Sequence, residues 1–376
     1  RDVAIARVLR RLVGNISIEW CSAEPVVSYL RLWGEKILRC EDMESFSKAV
    51  EEVIENRIMN PRRLGKYLDI LRKNYRMLVA RINLDDYDLV FADEFWEIML
   101  EAPPSLKEEI VFATDILFKP YTLNPLDSLV SLVLNTYFKK QYISFKETIL
   151  LNSLEDLPSS RWFLIYGENI RRWAARNLAI AGLATSYLPE DVPLRHSTRK
   201  SLGLDDEDKL VLVTVGGTAT RNNILLGNIV GAILRLRRRL ARLKLLVALG
   251  PRTKWKPPID AEWITVTGTV KNLVKYYVAA DLVIARPGRT TTADLLCMGK
   301  PAILVPISGH FEHNVIARSM ASRGYLICKE DDQECIVRAA SRLLSDGHNI
   351  RRPAKEECRG SLRAAKILAS FIKGGS

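Results

Sequence analysis

The stretch Asp281 to Ala317, DLVIARPGRTTTADLLCMGKPAILVPISGHFEHNVIA, restricts the possible folds more than any other part of the chain. Its apolar opening, Asp281 to Ala285, is bounded by the turn formers Arg286, Pro287 and Gly288 and reads as a buried parallel strand. Thr290 to Cys297 reads as a helix that opens on threonines and carries one carboxylate, Asp294. Gly299 and Pro301 end that helix, and Ala302 to Pro306 supplies the next strand. The first amides of such a helix lack partners, and its dipole is positive there. Arg286, Gly288, Thr290 and Thr291 therefore sit where an anion is favoured, and a phosphate-bearing ligand is expected.

The same alternation runs through the C-terminal half. Leu210 to Val215 reads as a strand leading to Gly216, Gly217 and Thr218, followed by a helix from Asn222 to Leu243 and a strand from Leu245 to Leu249. Ile264 to Val266 is a further strand, and Tyr325 to Cys328 the last. This pattern predicts an α/β domain whose parallel sheet is covered by helices on both faces. Before it, residues 189–208 combine prolines, charges and low hydrophobicity and read as a linker. The half from 1 to 188 reads as a second α/β domain, and the last helix, 361–373, is assigned to pack on it. Its clearest strands, Tyr87 to Ala92 and Glu109 to Ala113, end at Asp93 with Glu94 and at Thr114 with Asp115. Ligands bind open α/β sheets at the carboxyl ends of strands, so Asp93 and Asp115 are candidate site acids; solvated strand ends are the plain alternative. Because the chain opens directly on a helix, Asp2 to Val13, the expectation is that it enters this domain inside its first strand–helix unit.

Residues 209–376 hold 28 basic against 12 acidic side chains, whereas 1–208 hold 28 against 32. A basic C-terminal half attracts phosphates, polyanions or an anionic membrane surface. No apolar run approaches the roughly 18–20 residues that span a bilayer. The six cysteines are scattered without a CxxC pair, which suits reduced thiols in a cytoplasmic compartment better than a disulfide framework.

Several motifs have competing readings. Gly216-Gly217-Thr218 is neither a dinucleotide fingerprint nor a P-loop, yet a second glycine loop facing the one at 286–291 makes a diphosphate between two helix ends the better reading. His310, Glu312 and His313 lack a third nearby histidine or cysteine, so hydrogen bonding to a polyhydroxylated ligand is preferred over a metal site. Asp85, Asp86 and Asp88 precede their strand and read as a solvated turn. Leu126 to Tyr142 is apolar and ends in Lys139 and Lys140; a core-facing helix is the first reading, a membrane-surface or acceptor-cleft helix the second. Leu234 to Leu245, LRLRRRLARLKL, reads first as the solvated basic face of a packed helix, then as a membrane-attracted one; no nucleic-acid motif accompanies it.

With these residues in view, DLVIARPGRTTTADLLCMGKPAILVP resembles the donor-binding half of two-domain (GT-B) glycosyltransferases, in particular the MurG-type N-acetylglucosaminyltransferases and their archaeal relatives. The resemblance covers roughly 209–328. It implies two Rossmann-like domains around a crevice, the first strand of the N-terminal one being absent from this sequence. It assigns Gly216, Gly217 and Thr218 to the donor diphosphate, with Arg286, Gly288, Thr290 and Thr291 lining the crevice. Val270 would present backbone to the base, Asp294 would take the ribose, and Glu312 with His313 would hold the donor sugar. The family's usual residues at the last two positions and the ribose site are Glu, Gln and Glu, so Asp294 and His313 are departures.

The implied activity is transfer from a UDP-sugar to an acceptor hydroxyl, lipid-linked in the family, with inversion and without metal or other cofactor. No nucleic-acid partner is expected, and the implied location is cytoplasmic, peripheral on the inner membrane face. The family's catalytic base comes from a glycine-rich loop not seen here, leaving Asp93 or Asp115 to orient it. The alternatives are a UDP-sugar hydrolase or epimerase with the same donor site, or a binding subunit that needs a partner.

Overall fold

The computed structural model describes residues 1–38, 40, 43, 61–118, 125–157, 169–216, 222–345 and 350–373. The N-terminal domain begins with the Asp2–Val13 helix and a two-stranded parallel pair, β1 (Glu19–Trp20) and β2 (Lys36–Ile37), around the Val26–Trp33 helix. The Pro61–Arg81 helix leads to a four-stranded parallel sheet in the order β3 (Val90–Asp93), β4 (Ile110–Thr114), β5 (Glu147–Leu150), β6 (Ala179–Ile180). β4 is buried at all five residues, as expected for a central strand covered on both faces. One face is an aromatic core in which Phe112 stacks on Phe145 at 4.7 Å; the other is closed by the Asp2–Val13 and Gly360–Lys373 helices through Ile5, Val8, Ala365 and Leu368. β5 is a strand the sequence reading passed over, since its four residues carry no alternation to mark it.

The C-terminal sheet has six parallel strands in the order β12 (Leu326–Ile327), β11 (Ala302–Leu304), β10 (Leu282–Ala285), β7 (Lys209–Thr214), β8 (Leu243–Ala248), β9 (Ile264–Thr267). This is a doubly wound order with its switch point between β10 and β7. Ile229 and Ile233 of the Asn222–Arg237 helix and Ile336 of the Gln333–Ser345 helix pack on one face. Leu295 of the Arg289–Met298 helix, Ile316 of the Phe311–Ser322 helix and Tyr277 cover the other. The chain thus has two Rossmann-like α/β domains.

Two segments cross between the domains, and they are zipped together. Leu183 N–H donates to the Glu357 carbonyl at 2.8 Å, and Gly360 N–H returns to the Leu183 carbonyl at 3.1 Å. A Cβ on Gly360 would lie 2.4 Å from the Leu183 carbonyl carbon, so only glycine allows the two backbones to approach this closely. The 189–208 connection is itself folded: its Arg195–Ser201 helix sends buried Arg199 to the carbonyls of Ala279 at 2.9 Å and Asp208 at 2.6 Å. Arg195 and Lys300 bond the neighbouring carbonyls of Val278 and Ala280, so three cations cap one helix C-terminus.

Two expectations are corrected here. The run Leu234 to Leu245 is not one helix, because the helix ends at Arg237 and β8 begins at Leu243. Its arginines are engaged locally: Arg235 with Glu334, Arg237 over the Trp263 ring at 4.8 Å, and Arg242 with Asp205 and with Asp208 at 3.1 Å. The cysteines, expected as reduced thiols, all pair: Cys21–Cys40, Cys297–Cys358 and Cys328–Cys335, with Cα atoms 5.4, 5.7 and 5.7 Å apart. Sequence separations of 19, 61 and 7 gave no hint of this, because the pairing is made by tertiary proximity. Such a framework occurs in oxidising compartments and in intracellular proteins of hyperthermophiles, so it removes the thiol argument for a cytoplasmic location. No described helix is long and apolar enough to cross a membrane.

Because Cys297–Cys358 closes the longest loop, replacing both by serine is expected to cost about 4 kcal/mol in urea unfolding, on the chain-entropy estimate. Replacing Cys328 and Cys335, only 7 residues apart, should cost clearly less. Thiols that titrate in the denatured, unreduced protein would contradict the pairing.

Candidate active site

Parallel register brings the carboxyl ends of the C-terminal strands to one edge: Thr214 pairs with Ala285 and with Ala248, Ala248 with Thr267, and Ala285 with Leu304. At that edge Gly216 is exposed with φ 73°, a left-handed conformation suited to glycine, while Gly217 and Thr218 lie outside the described residues. Gly288 caps the Arg289–Met298 helix, whose first backbone bond runs from Thr292 N–H to the Gly288 carbonyl at 2.9 Å. The amides before Thr292, with half-buried Thr290 and Thr291, therefore face the edge. Val270 lies half-buried in the loop after β9. The N-terminal domain meets this loop, since Tyr29 hydroxyl donates to the Lys271 carbonyl at 3.0 Å and the Lys271 ammonium sits 4.7 Å from the Trp33 ring.

Three expected site residues point elsewhere. Arg286 is 3 % exposed and turned beneath the loop, pairing with buried Glu330 at 3.0 Å and donating to the Val305 carbonyl at 3.0 Å. It braces the β10–β11 region and does not line the crevice. Asp294 is 2 % exposed, and both its oxygens are taken by Ser186, one by the backbone N–H at 2.8 Å and one by the hydroxyl at 2.6 Å. In this conformation it fastens the Arg289–Met298 helix to the interdomain crossover and is not offered to a ribose. Burial raises its pKa to about 6, against those two bonds. His313 stacks on His310 at 4.0 Å and accepts from the Ile307 N–H at 3.2 Å, so it orders the loop from inside. Burial lowers His310 to about 4, with Arg286 adding to the effect, and holds His313 well below the usual imidazole range. Both rings are neutral at physiological pH.

The polar centre between the domains is built from other residues. Arg1, at the start of the first helix, donates from Nε and Nη2 to Asp93 at 3.0 and 2.8 Å and from Nη1 to Asp115. Asp93 and Asp115 end adjacent strands, so one guanidinium ties β3 to β4. Across the crevice, Arg289 Nε of the C-terminal domain lies 3.7 Å from Asp115 Oδ1. Glu94, directly after β3, has φ 49° and accepts from the Thr114 hydroxyl and the Asp115 N–H, both at 3.1 Å. Glu312 enters from the Phe311–Ser322 helix. Two guanidiniums cannot neutralise all of these carboxylates, so some keep protons. Burial, then Asp115, raises Glu94 to about 8, and the same causes raise Glu312 to about 7. Arg1, Glu94 and Arg289 were not assigned from sequence. Arg286 lies in the loop before the helix and Arg289 opens it, whereas Asp93 ends its strand and Glu94 follows in a left-handed conformation. Among the described residues, no three His, Cys, Asp or Glu side chains are arranged to hold a metal ion.

Residues 210–367 match the glycosyltransferase family 28 C-terminal domain. A UDP-N-acetylglucosamine–N-acetylmuramyl-(pentapeptide) pyrophosphoryl-undecaprenol N-acetylglucosamine transferase of Carboxydothermus hydrogenoformans is 31 % identical over 181 residues, covering 46 % of this chain and 47 % of that protein. An uncharacterized glycosyltransferase of Methanopyrus kandleri is 25 % identical over 193 residues, covering 49 % of this chain and 52 % of its own. The chain therefore spans about half the length of the curated relatives it matches. Among solved structures, the kitacinnamycin glycosyltransferase superposes with a TM-score of 0.63 at 13 % identity, over 98 % of this chain and 94 % of the other. The S. aureus MnaA–UDP structure gives 0.56 at 11 %, over 99 % and 93 %. These structural matches establish the GT-B fold, and the family 28 match lies in the C-terminal half.

Arg286→Ala leaves Glu330 buried without its cation and is expected to cost about 3–5 kcal/mol in denaturant unfolding. Arg289→Ala should cost less, because its partner Asp115 keeps Arg1. Equal stability of the two variants would refute this division. The raised carboxylates also set a pH dependence. The unfolded chain ionises Glu94 and Glu312 near 4.5, the fold resists until about 8 and 7, so stability falls as pH rises through that window. Above the ordinary histidine value of 6.5 the two imidazoles contribute little, so thermal midpoints from there to about pH 8.5 should decline, and Glu94→Gln should flatten the decline. A flat wild-type profile contradicts this.

Proposed function

We propose that this chain transfers a sugar from a UDP-linked donor to a hydroxyl of a polyprenyl-linked acceptor, with inversion at the anomeric carbon. The observation that carries the reading is Arg289, which stands at the N-terminus of the donor-side helix and faces Asp115 of the opposite domain at 3.7 Å. A diphosphate at that helix end would meet unpaired amides, the helix dipole and one guanidinium, with Gly216 allowing close backbone approach from β7. These groups are fixed before the reaction and oppose the charge that develops on the departing diphosphate. Val270 backbone would face the base, and Glu312 the donor sugar.

The acceptor class is supported by the pyrophosphoryl-undecaprenol acceptor of the bacterial relatives and by one surface. The Pro125–Tyr142 helix exposes Leu129 and Val133 at 57 and 61 % while burying Ser131 and Asn135, and exposed Lys140 and Ile143 follow at its end. Apolar side chains beside a lysine suit a peripheral membrane surface, where a polyprenyl substrate resides. The reading that puts this helix's apolar residues in the core does not describe Leu129 and Val133.

Calorimetry with UDP and UDP-N-acetylglucosamine tests the donor site. Binding is expected, with Arg289→Ala weakening it at least about tenfold, in line with loss of a charge-assisted contact. No binding of either ligand sinks the reading. UDP release should then require a polyprenyl diphosphate bearing one N-acetylhexosamine. Equal release without it favours the hydrolase or epimerase, and binding without turnover favours a partner-dependent subunit.

A further inference from the structure

We propose that Asp115 competes with the donor diphosphate for Arg289, so that donor binding exchanges one anion for another at this guanidinium. The inference rests on the donor-site reading above. Arg289 opens the Arg289–Met298 helix of the C-terminal domain, and Asp115 directly follows β4 of the N-terminal domain. Arg289 Nε and Asp115 Oδ1 face each other at 3.7 Å, with side chains only 14 and 4 % exposed. That separation is too long for a charge-assisted hydrogen bond, which spans about 2.7–2.9 Å. Neither atom has another hydrogen-bond partner among the described residues.

The gap is fixed from both sides. Asp115 Oδ2 accepts from Arg1, its N–H donates to Glu94 at 3.1 Å, and the strand before it is buried at all five residues. Arg289 is anchored by its helix, and its carbonyl accepts from the Thr292 hydroxyl at 2.9 Å. The two charges therefore attract across the crevice without completing a hydrogen bond, and each buried atom stays short of a partner at a cost. A phosphate repairs this for Arg289, because its oxygens accept directly from the guanidinium fork. Asp115 keeps a cation when that happens, since Arg1 holds Oδ2. Glu312, the other carboxylate that acts on Arg289, stands on the same domain as Arg289. Asp115 is thus the competitor that the opposite domain contributes.

No covalent bond is made or broken in the exchange. Phosphate oxygens take the guanidinium from the carboxylate as the donor binds, and the reverse occurs as UDP departs. One contact thus weakens donor binding and favours product release. Asp115 acts on the donor through Arg289 and does not touch the reacting atoms, which makes it a positioning residue. The interdomain contacts of Tyr29 with Lys271 and of Arg323 with Asp156 draw on other groups, so the exchange alters one tie between the domains and leaves these.

Calorimetry with UDP reads the exchange. Asp115→Asn removes the competing charge and is expected to tighten UDP binding about 5- to 50-fold, the range for residues that interact directly. Asp115→Glu keeps the charge and should show no gain. In an Arg289→Ala background, Asp115→Asn should change UDP affinity less than about twofold, because no guanidinium is left to exchange. General relief of repulsion would instead tighten binding with or without Arg289. Cooperative urea unfolding checks that each variant is folded, and Asp115→Ala carries the same expectation should the asparagine variant fail to fold. Three results overturn the proposal while leaving the donor-site reading intact: unchanged or weaker UDP binding by the folded charge-removing variant, a gain with Asp115→Glu, or a gain that survives in Arg289→Ala. Absence of UDP binding by the wild-type protein removes the donor-site reading and this proposal together.

Discussion

Much of this architecture depends on the clasp at the two crossovers. Asp294, in the middle of the donor-side helix, receives both hydrogens that Ser186 can offer, and Cys297, one turn on, is bonded to Cys358 on the returning segment. Ser361 hydroxyl then donates to the Thr185 carbonyl at 2.9 Å, joining the two crossing segments to each other. A helix is therefore fixed by a carboxylate and a disulfide to both chains that leave its domain. Its N-terminus cannot shift relative to the crossover without breaking buried, charge-assisted hydrogen bonds, each worth about 1.5–3 kcal/mol. The domains also meet through exposed contacts of Tyr29 with Lys271 and of Glu24 with Arg252, and through buried Arg323, which donates to Asp156 at 3.0 and 2.8 Å.

The same helix sets the electrostatics of the crevice. Its positive end and Arg289 point toward an acidic edge of the other domain, where Asp93, Glu94 and Asp115 crowd around Arg1. An edge this acidic would repel a nucleotide diphosphate if every group were ionised. Burial prevents that by holding protons on Glu94 and Glu312 near neutrality.

The sequence made the C-terminal domain legible because its periodicity is unbroken. Short apolar runs alternate with helices, and glycine or proline stands at the ends, as at Arg286–Gly288 and Gly299–Pro301. A parallel sheet covered by helices follows from that alternation, whereas the order of its six strands does not. Side-chain direction was not legible. Arg286 and Arg289 are three residues apart in one loop-to-helix turn, and only the register of β10 against β11 decides that the first goes under the sheet edge and the second over it. Asp294 looked like a ligand acid because a carboxylate near a helix start is favoured in either role; its partner Ser186 lies 108 residues away. The disulfides escaped for the same reason. Non-local partners are a property of the fold, whereas periodicity is a property of the segment.

This distinction also explains why the acidic strand ends were legible while their cationic partners were not. A carboxylate at the end of a parallel strand can be read directly, and Asp93, Glu94 and Asp115 all stand there. Which of them is available depends on where the cations fall. Arg1, at the start of the first helix, reaches Asp93 at the end of β3 with two nitrogens, and the third nitrogen reaches Asp115 because β3 and β4 are adjacent. Glu94 is left over by this arrangement, rotated out of the strand by its left-handed backbone and fixed by donors from the neighbouring strand.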